Sequence, residues 1–336
     1  MASSIVGIDI GSGNCKAAVR EGDAIRLISS RMPENMMSEG QVVAPESMSH
    51  FLKQIRSQEH IHTRNCALVL SESQAYFRHV TLPAMNVAEL KLNLPYEFRD
   101  FIEGDPGDYN FDYMVDQVVE NEEGKPSRLE LFAAAVKKSL IEEDSQMLRK
   151  AGLKLKLVIP AQMAYTRIMR AHIEANPIDE DKTTVLVDFG HADVSVMLFH
   201  GSHYEASKTI EFGCDEFDMA IADMKGIDQY TASSYKATNF EGVMDSAECQ
   251  TICDRFGVEV SKVVNFYNFN NPEKDVDQMF MSGGGAQIPQ LVKTVSDMVS
   301  VPADSIDFLL PVQAKGSENG PVCALAIGAM MEAEVM

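Results

Sequence analysis

The sequence predicts an α/β chain of two related lobes, with a compact α+β unit inserted into the first. A buried strand ending in aspartate, a glycine turn and a returning strand occur twice, at Asp9-Ile10-Gly11 and at Asp188-Phe189-Gly190. Between these two openings the pattern changes at Tyr76 to short strands and two helices that repeat neither opening. The length of 336 residues is about two domains' worth at roughly 150 residues each, so a sizeable core is affordable without disulfides.

The elements follow in order. Ile5 to Ile10, the turn Gly11-Ser12-Gly13-Asn14 and Lys16 to Val19 read as a β-hairpin, with Gly22-Asp23 as the next turn. Pro45 to Ser57 carries Met48, Phe51, Leu52 and Ile55 at helical spacing, and Ala67 to Leu70 is the strand after it. Then come a strand at Phe77 to Leu82, a break at Pro83, and a helix from Asn86 to about Phe101, with Asn86 as cap and Glu89 three residues on. Strands at Tyr109 to Val119 and Arg128 to Val136 flank an acidic turn, and a helix from Ser139 to Ala151 closes at Gly152. The second opening is the apolar, β-branched run after Thr183, the turn Phe189-Gly190-His191-Ala192, and a strand at Val194 to Phe199. Asp277 to Met281 is a strand that runs into Ser282-Gly283-Gly284-Gly285. Helices at Pro289 to Val299 and Pro321 to Met331 end the chain. The expected division is 1–76 for the first lobe, 77–153 for the insert and 154–182 for the first lobe again. The second lobe then spans 183–320, and 321–336 is a helix returning to the first.

Charge narrows the function classes. Twenty-nine Lys and Arg stand against 50 Asp and Glu, a net charge of −21, which repels nucleic acid and anionic membranes alike. No apolar run approaches the roughly 18 to 20 residues of a membrane span, and no charged segment precedes a long apolar one at the N-terminus. A cytoplasmic chain is expected, with its six scattered cysteines as buried small hydrophobes. Cys249 and Cys253 lie one helical turn apart but lack a second pair to complete a zinc site. The pairs His60/His62 and His200/His203 come without carboxylates at ligand spacing and read as surface turns, and the 20 methionines are dispersed as core filler. The acidic runs at 120–123 and 179–181 read as solvated turns.

The glycine turns carry the chemistry. Each follows the C-terminal end of a buried strand, where open α/β sheets hold ligands, and glycines let backbone N–H groups approach an anion. An aspartate at such a strand end suits a hydrated magnesium ion. Two facing turns, each with its aspartate, would form a cleft for a magnesium-bound nucleotide.

In this order and spacing, GIDIGSGNCKAAV, VLVDFGHADVSVMLF and MFMSGGGAQIPQL resemble the two phosphate motifs and the adenosine motif of actin-like ATPases. VTLPAMNVAELKLNLPYEFRDFI, YNFDYMV and LELFAAAVKKSLIEEDSQMLRKAGLKL look like the inserted subdomain of the PilM family of type IV pilus assembly proteins, relatives of FtsA. The resemblance implies a two-lobed actin-like ATPase (ribonuclease H-like) fold binding ATP and magnesium. Asp9 and Asp188 would face the metal. Backbone at Gly11, Ser12, Gly13 and Asn14 would hold one side of the phosphates, and Gly190, His191 and Ala192 the other. Gly213, in FGCDEFD, resembles a further glycine turn, although the usual first glycine is Phe212. Gly283, Gly284 and Gly285 would line the adenosine pocket, and Lys236 matches a helix lysine near the ribose and base. Lys16 is open between a phosphate contact and solvent.

The departures bear on turnover. The resemblance implies a Glu-Pro at the helix after the insert, whose carboxylate orients the attacking water; this chain has Ile159-Pro160, with Gln162 as the tentative catalytic substitute. Ser233 replaces a glutamate before Lys236, and Asp193 sits where a small hydroxyl residue is common. Nucleotide binding with slow or absent hydrolysis is therefore expected.

Two function classes follow. One is an ATP-binding scaffold that docks the N-terminal cytoplasmic tail of a PilN-like bitopic membrane protein, alongside other pilus assembly proteins. It would stay peripheral to the inner face of the membrane, since the last forty residues carry one basic residue, Lys315, and no amphipathic anchor. The other is a small-molecule kinase of the same superfamily, for which Asp100, Asp105 and Asp108 are the candidate bases.

Overall fold

The computed structural model describes residues 5–38, 40–314 and 316–331; Lys315 and the end of the expected C-terminal segment, 332–336, lie outside the described residues. The first lobe opens with β1 (Ile5–Ile10), β2 (Asn14–Glu21) and β3 (Ala24–Arg31), then a small ladder of β4 (Met37–Ser38) and β5 (Gln41–Val42). Helix α1 (Pro45–Gln58) and β6 (Asn65–Leu70) follow. The insert contributes β7 (Tyr76–Pro83), α2 (Val87–Glu97), β8 (Tyr109–Glu120) and β9 (Pro126–Lys137). The chain re-enters the first lobe through α3 (Lys138–Lys150), β10 (Lys154–Pro160) and α4 (Ala161–Ala175). The second lobe comprises β11 (Thr183–Phe189), β12 (Val194–His200), β13 (His203–Ile210), α5 (Asp215–Lys225), α6 (Gln229–Thr238), α7 (Ala247–Asn270), β14 (Gln278–Gly283), α8 (Pro289–Val299) and β15 (Ala303–Ser305), and α9 (Ala324–Met330) closes the chain.

The repeat seen in the sequence is a repeat of topology. The first sheet runs β10-β6-β1-β2-β3 and the second β15-β14-β11-β12-β13. In each, the opening strand pairs antiparallel with the strand that returns from its glycine turn and parallel with the strand on its other side. Five strands with this order in both lobes are the expected two-lobed actin-like architecture. The lobes meet over an apolar seam that includes Ala18, Tyr165, Leu186, Phe280 and Ile327.

The insert forms its own three-stranded sheet, β7-β9-β8, around Leu90, Leu94, Phe98 and Leu131. Asn86 caps α2, accepting from Ala88 N and Glu89 N, while Asn86 N donates to Glu89 Oε2, a capping box as expected. Helix α3, counted with the insert in the sequence, places Met147 and Leu148 in the core of the first lobe beside Met48 and Leu52. The helix expected from Pro321 starts later, at Ala324, because Pro321 is held in a turn whose carbonyl accepts from Gly283 N and Ser282 Oγ. Among the described residues, no helix is long and apolar enough to cross a membrane.

Candidate functional site

The two strand ends converge. β1 is buried along its centre and delivers Asp9, 7% exposed, to the edge of the first glycine turn. β11 delivers Asp188 likewise, between Ser195 on β12 and Ser282 on β14. A Cβ at Gly13 would lie 3.0 Å from the His191 side chain, so the first turn of one lobe rests against the first turn of the other. The two turns face one another, and glycine at 13 is what lets them approach this closely.

Glycine is demanded by close approach at several of these positions. A Cβ on Gly213 would sit 2.1 Å from the His191 carbonyl oxygen; Cys214 N and Asp215 N donate to Gly190 and His191 carbonyls, locking the third turn under the second. A Cβ on Gly190 would meet the Asp193 carbonyl oxygen at 2.6 Å. Gly283 has φ +82°, and a Cβ there would strike Asp188 Oδ1 at 2.3 Å. Gly285 is buried against Phe189 and Cys214, whereas Gly284 alone of the three has open space where a side chain would stand. In the first turn, Gly11 N donates to the Asn14 carbonyl, and Asn14 Nδ2 turns away to Ser29 Oγ at 2.7 Å. Ser12 and Ala192 lie in the two turns themselves.

The site is strongly acidic around one lysine. Lys16, opposite Asp9 in the ladder, holds Asp9 Oδ2 at 2.9 Å; its ammonium neither faces solvent nor stands free. Burial opposes its charge, but Asp9 and Asp188 outweigh this and raise its pKa. Burial pushes the Asp188 carboxyl up to about 6; Lys16 and the Tyr165 hydroxyl pull it down, while Asp9 and Asp193 add to the rise. Burial, then Glu72, also holds Asp193 above its usual value. Carboxylates in excess over cations at the mouth of two backbone turns favour a divalent cation with its hydration waters. Among the described residues, no cluster of three or more His, Cys, Asp and Glu could hold a metal alone, so a magnesium ion here would share its coordination with water and phosphate.

Other assigned residues are engaged elsewhere. Lys236 donates to the Cys214 carbonyl at 2.9 Å and to Asp218 Oδ2 at 2.8 Å, bracing α6 on the third turn. Ile159 is 2% exposed among Ala67, Val69 and Ala164. Gln162, 2% exposed, donates from Nε2 to Glu72 Oε1 at 2.6 Å. The three acidic candidates for a kinase base lie in the insert, where Asp105 caps its own turn by accepting from Gly107 N.

Residues 7–331 match the family described as type IV pilus assembly protein PilM. The chain belongs to the PilM family. Solved structures agree on the fold: the PilM-PilN type IV pilus biogenesis complex gives a TM-score of 0.81 at 19% identity over 97% of each chain. The ethanolamine utilization protein EutJ from Carboxydothermus hydrogenoformans gives 0.57 at 13% identity, covering 98% of this chain and 90% of that one. MreB 5 of Spiroplasma citri bound to AMPPNP gives 0.54 at 12% identity, with coverage of 98% and 95%. Two residues of this PilM-family cleft escape sequence reasoning. Tyr165 is 1% exposed, with its hydroxyl 2.8 Å from both Asp188 Oδ2 and Ser282 Oγ. Glu72, in the turn after β6, accepts from Gln162 and from Thr209 on β13 and so ties the lobes together. A polar residue just past a buried strand end was the available signal for Glu72; Tyr165, on a buried helix face, gave none.

Proposed function

We propose that this PilM-family chain binds ATP with magnesium between its lobes and hydrolyses it slowly or not at all. We also infer that it docks the N-terminal cytoplasmic tail of a PilN-like bitopic membrane protein. The observation that carries the nucleotide half is the meeting of the two glycine turns, Gly13 against His191, with Asp9 and Asp188 behind them. Bound magnesium would neutralise phosphate charge there. The turns would supply backbone donors to phosphate, Gly284 would leave room for adenosine, and Asp9 and Asp188 would face the hydrated metal. The buried Ile159 supports slow turnover, because the residue before Pro160 carries no carboxylate to orient a water.

The docking half draws support from family membership and from the likeness to a solved PilM-PilN complex. The insert also leaves a cleft beside it: β7 and β9 face β13 of the second lobe, with the first lobe's Glu72 and Gln162 as its floor. Through such a partner the chain would sit at the inner face of the membrane. Titration with the cytoplasmic tails of pilus assembly proteins encoded nearby, with and without magnesium ATP, tests this. Saturable binding of one PilN-like tail is expected, and failure of every tail to bind the intact protein overturns it.

A further inference from the structure

We propose that the cleft between the insert's sheet and the second lobe receives a basic side chain, guanidinium or ammonium, of the docked peptide, and that this cation strengthens nucleotide binding through Glu72. The proposal deepens the docking reading and rests on it.

The cleft has a volume of about 390 Å³. Phe77, His79, Phe132 and Tyr204 supply aromatic walls. The His79 ring stacks on Tyr204 with centroids 5.8 Å apart, and Phe132 meets His79 edge-on at 5.2 Å. The floor is polar. Gln162 spends its Nε2 on Glu72, while its buried Oε1 has no partner. A buried acceptor left unpaired is costly, so a ligand that brings an N–H there has a ready partner. Aromatic faces, an amide oxygen and a carboxylate together recognise a cation: the rings attract it through their quadrupoles, and the carboxylate accepts a charge-assisted hydrogen bond. An anion would meet Glu72 and Glu205 instead. Arg78, at the same strand, gives its guanidinium to the Glu97 carbonyl and the Phe101 ring, and Glu205 is held by Lys274 and Tyr267. Glu205 is thus already paired with a cation, whereas Glu72 accepts only from the neutral Gln162 and Thr209 and keeps its charge for the ligand.

Glu72 also belongs to the nucleotide cleft. Its second oxygen accepts from Thr209, which pairs across the ladder with Ser195, itself paired with Asp188. Its charge adds to the acidic field at Asp193. A nucleotide brings phosphates into a site that already holds Asp9, Asp188 and Asp193, so each negative charge removed nearby favours it. A cation placed on Glu72 removes one, and by reciprocity bound nucleotide favours the cation.

The test uses the full chain, with blocked arginine (N-acetyl-arginine amide) and its neutral analogue N-acetyl-citrulline amide as probes at matched ionic strength. Ligand-observed NMR reads their binding, and calorimetry reads ATP affinity. Blocked arginine is expected to bind and the citrulline analogue not to. Saturating blocked arginine should raise ATP affinity about 5-fold, the low end of ordinary coupling. Glu72→Gln should weaken arginine binding while raising ATP affinity by a similar factor, and His79→Ala, at an exposed wall, should weaken arginine binding alone. Equal binding of the two probes, or an ATP affinity indifferent to both arginine and Glu72→Gln, overturns the proposal. If no pilus tail binds but arginine does, docking fails and the pocket stands. If ATP does not bind at all, the nucleotide reading fails, the coupling falls with it, and the two probes still decide the pocket.

Discussion

Replacing Tyr165 by phenylalanine keeps a buried ring in the seam between the lobes and removes one hydroxyl. That hydroxyl lies 2.8 Å from Asp188 Oδ2, and a hydrogen bond to a charged group contributes about 1.5 to 3 kcal/mol. Asp188 already has its pKa pushed up from 3.8 to about 6 by burial, with Lys16 and Tyr165 restraining the rise. Without Tyr165 it climbs further. A carboxyl whose folded pKa exceeds its unfolded value binds its proton more tightly in the folded chain. Ionising it therefore costs stability above about pH 6 and nothing below about pH 4. The variant's deficit should accordingly be largest near pH 8, at about 1.5 to 3 kcal/mol, and shrink towards pH 5. Asp188, the carboxylate proposed to face magnesium, should be more often protonated at neutral pH, weakening magnesium ATP several-fold. Urea denaturation at the two pH values and calorimetric titration read both effects. Equal deficits at both pH values with unchanged ATP affinity would refute the link between the Tyr165 hydroxyl and the charge on Asp188.

Three further outcomes are expected. Asp144 on α3 is 8% exposed, its Oδ2 has no partner, and burial pushes its carboxyl up to about 6. Asp144→Asn should stabilise the protein by up to about 3 kcal/mol above pH 6, at 1.4 kcal/mol per unit, with the gain vanishing towards pH 4; thermal melts across pH check the slope. Gly213→Ala forces a methyl within reach of the His191 carbonyl oxygen and should cost about 1 to 3 kcal/mol as well as weakening ATP, and a variant as stable as the parent would remove that contact from consideration. ATP turnover by the intact protein should stay below about 1 per second; a faster rate would show that Gln162 or Glu72 supplies the missing base.

Much of the fold was legible because aspartate and glycine punctuate both lobes at the same place. The runs before Asp9 and Asp188 are almost continuously β-branched or apolar, as suits strands covered on both faces, and Asn86 with Glu89 marks the start of α2 to the residue. β3 passed unread, since its sequence AIRLISSR mixes polar and apolar residues without clean alternation. α7 was readable in principle: Cys249, Cys253, Phe256, Val260 and Val264 form a buried helical stripe, but the two cysteines draw attention to metal chemistry first. The cleft was legible as backbone and not as side chains. Glycine turns announce where an anion can approach, whereas the pairing of Lys16 with Asp9, the turn of Lys236 towards Asp218 and the reach of Gln162 to Glu72 depend on which way each side chain leaves its strand or helix. Such directions come from contacts between segments far apart in the chain.

The central claim is that a nucleotide lies between the facing glycine turns, and Gly284 is where it can be tested with least disturbance, because nothing lies within 4 Å of a Cβ built there. A leucine at that position should leave the fold intact and fill the space assigned to adenosine. Calorimetric titration of ATP into the parent and Gly284→Leu, with and without magnesium, should show magnesium-dependent binding to the parent and none to the variant. Equal affinity of both for ATP would contradict the placement.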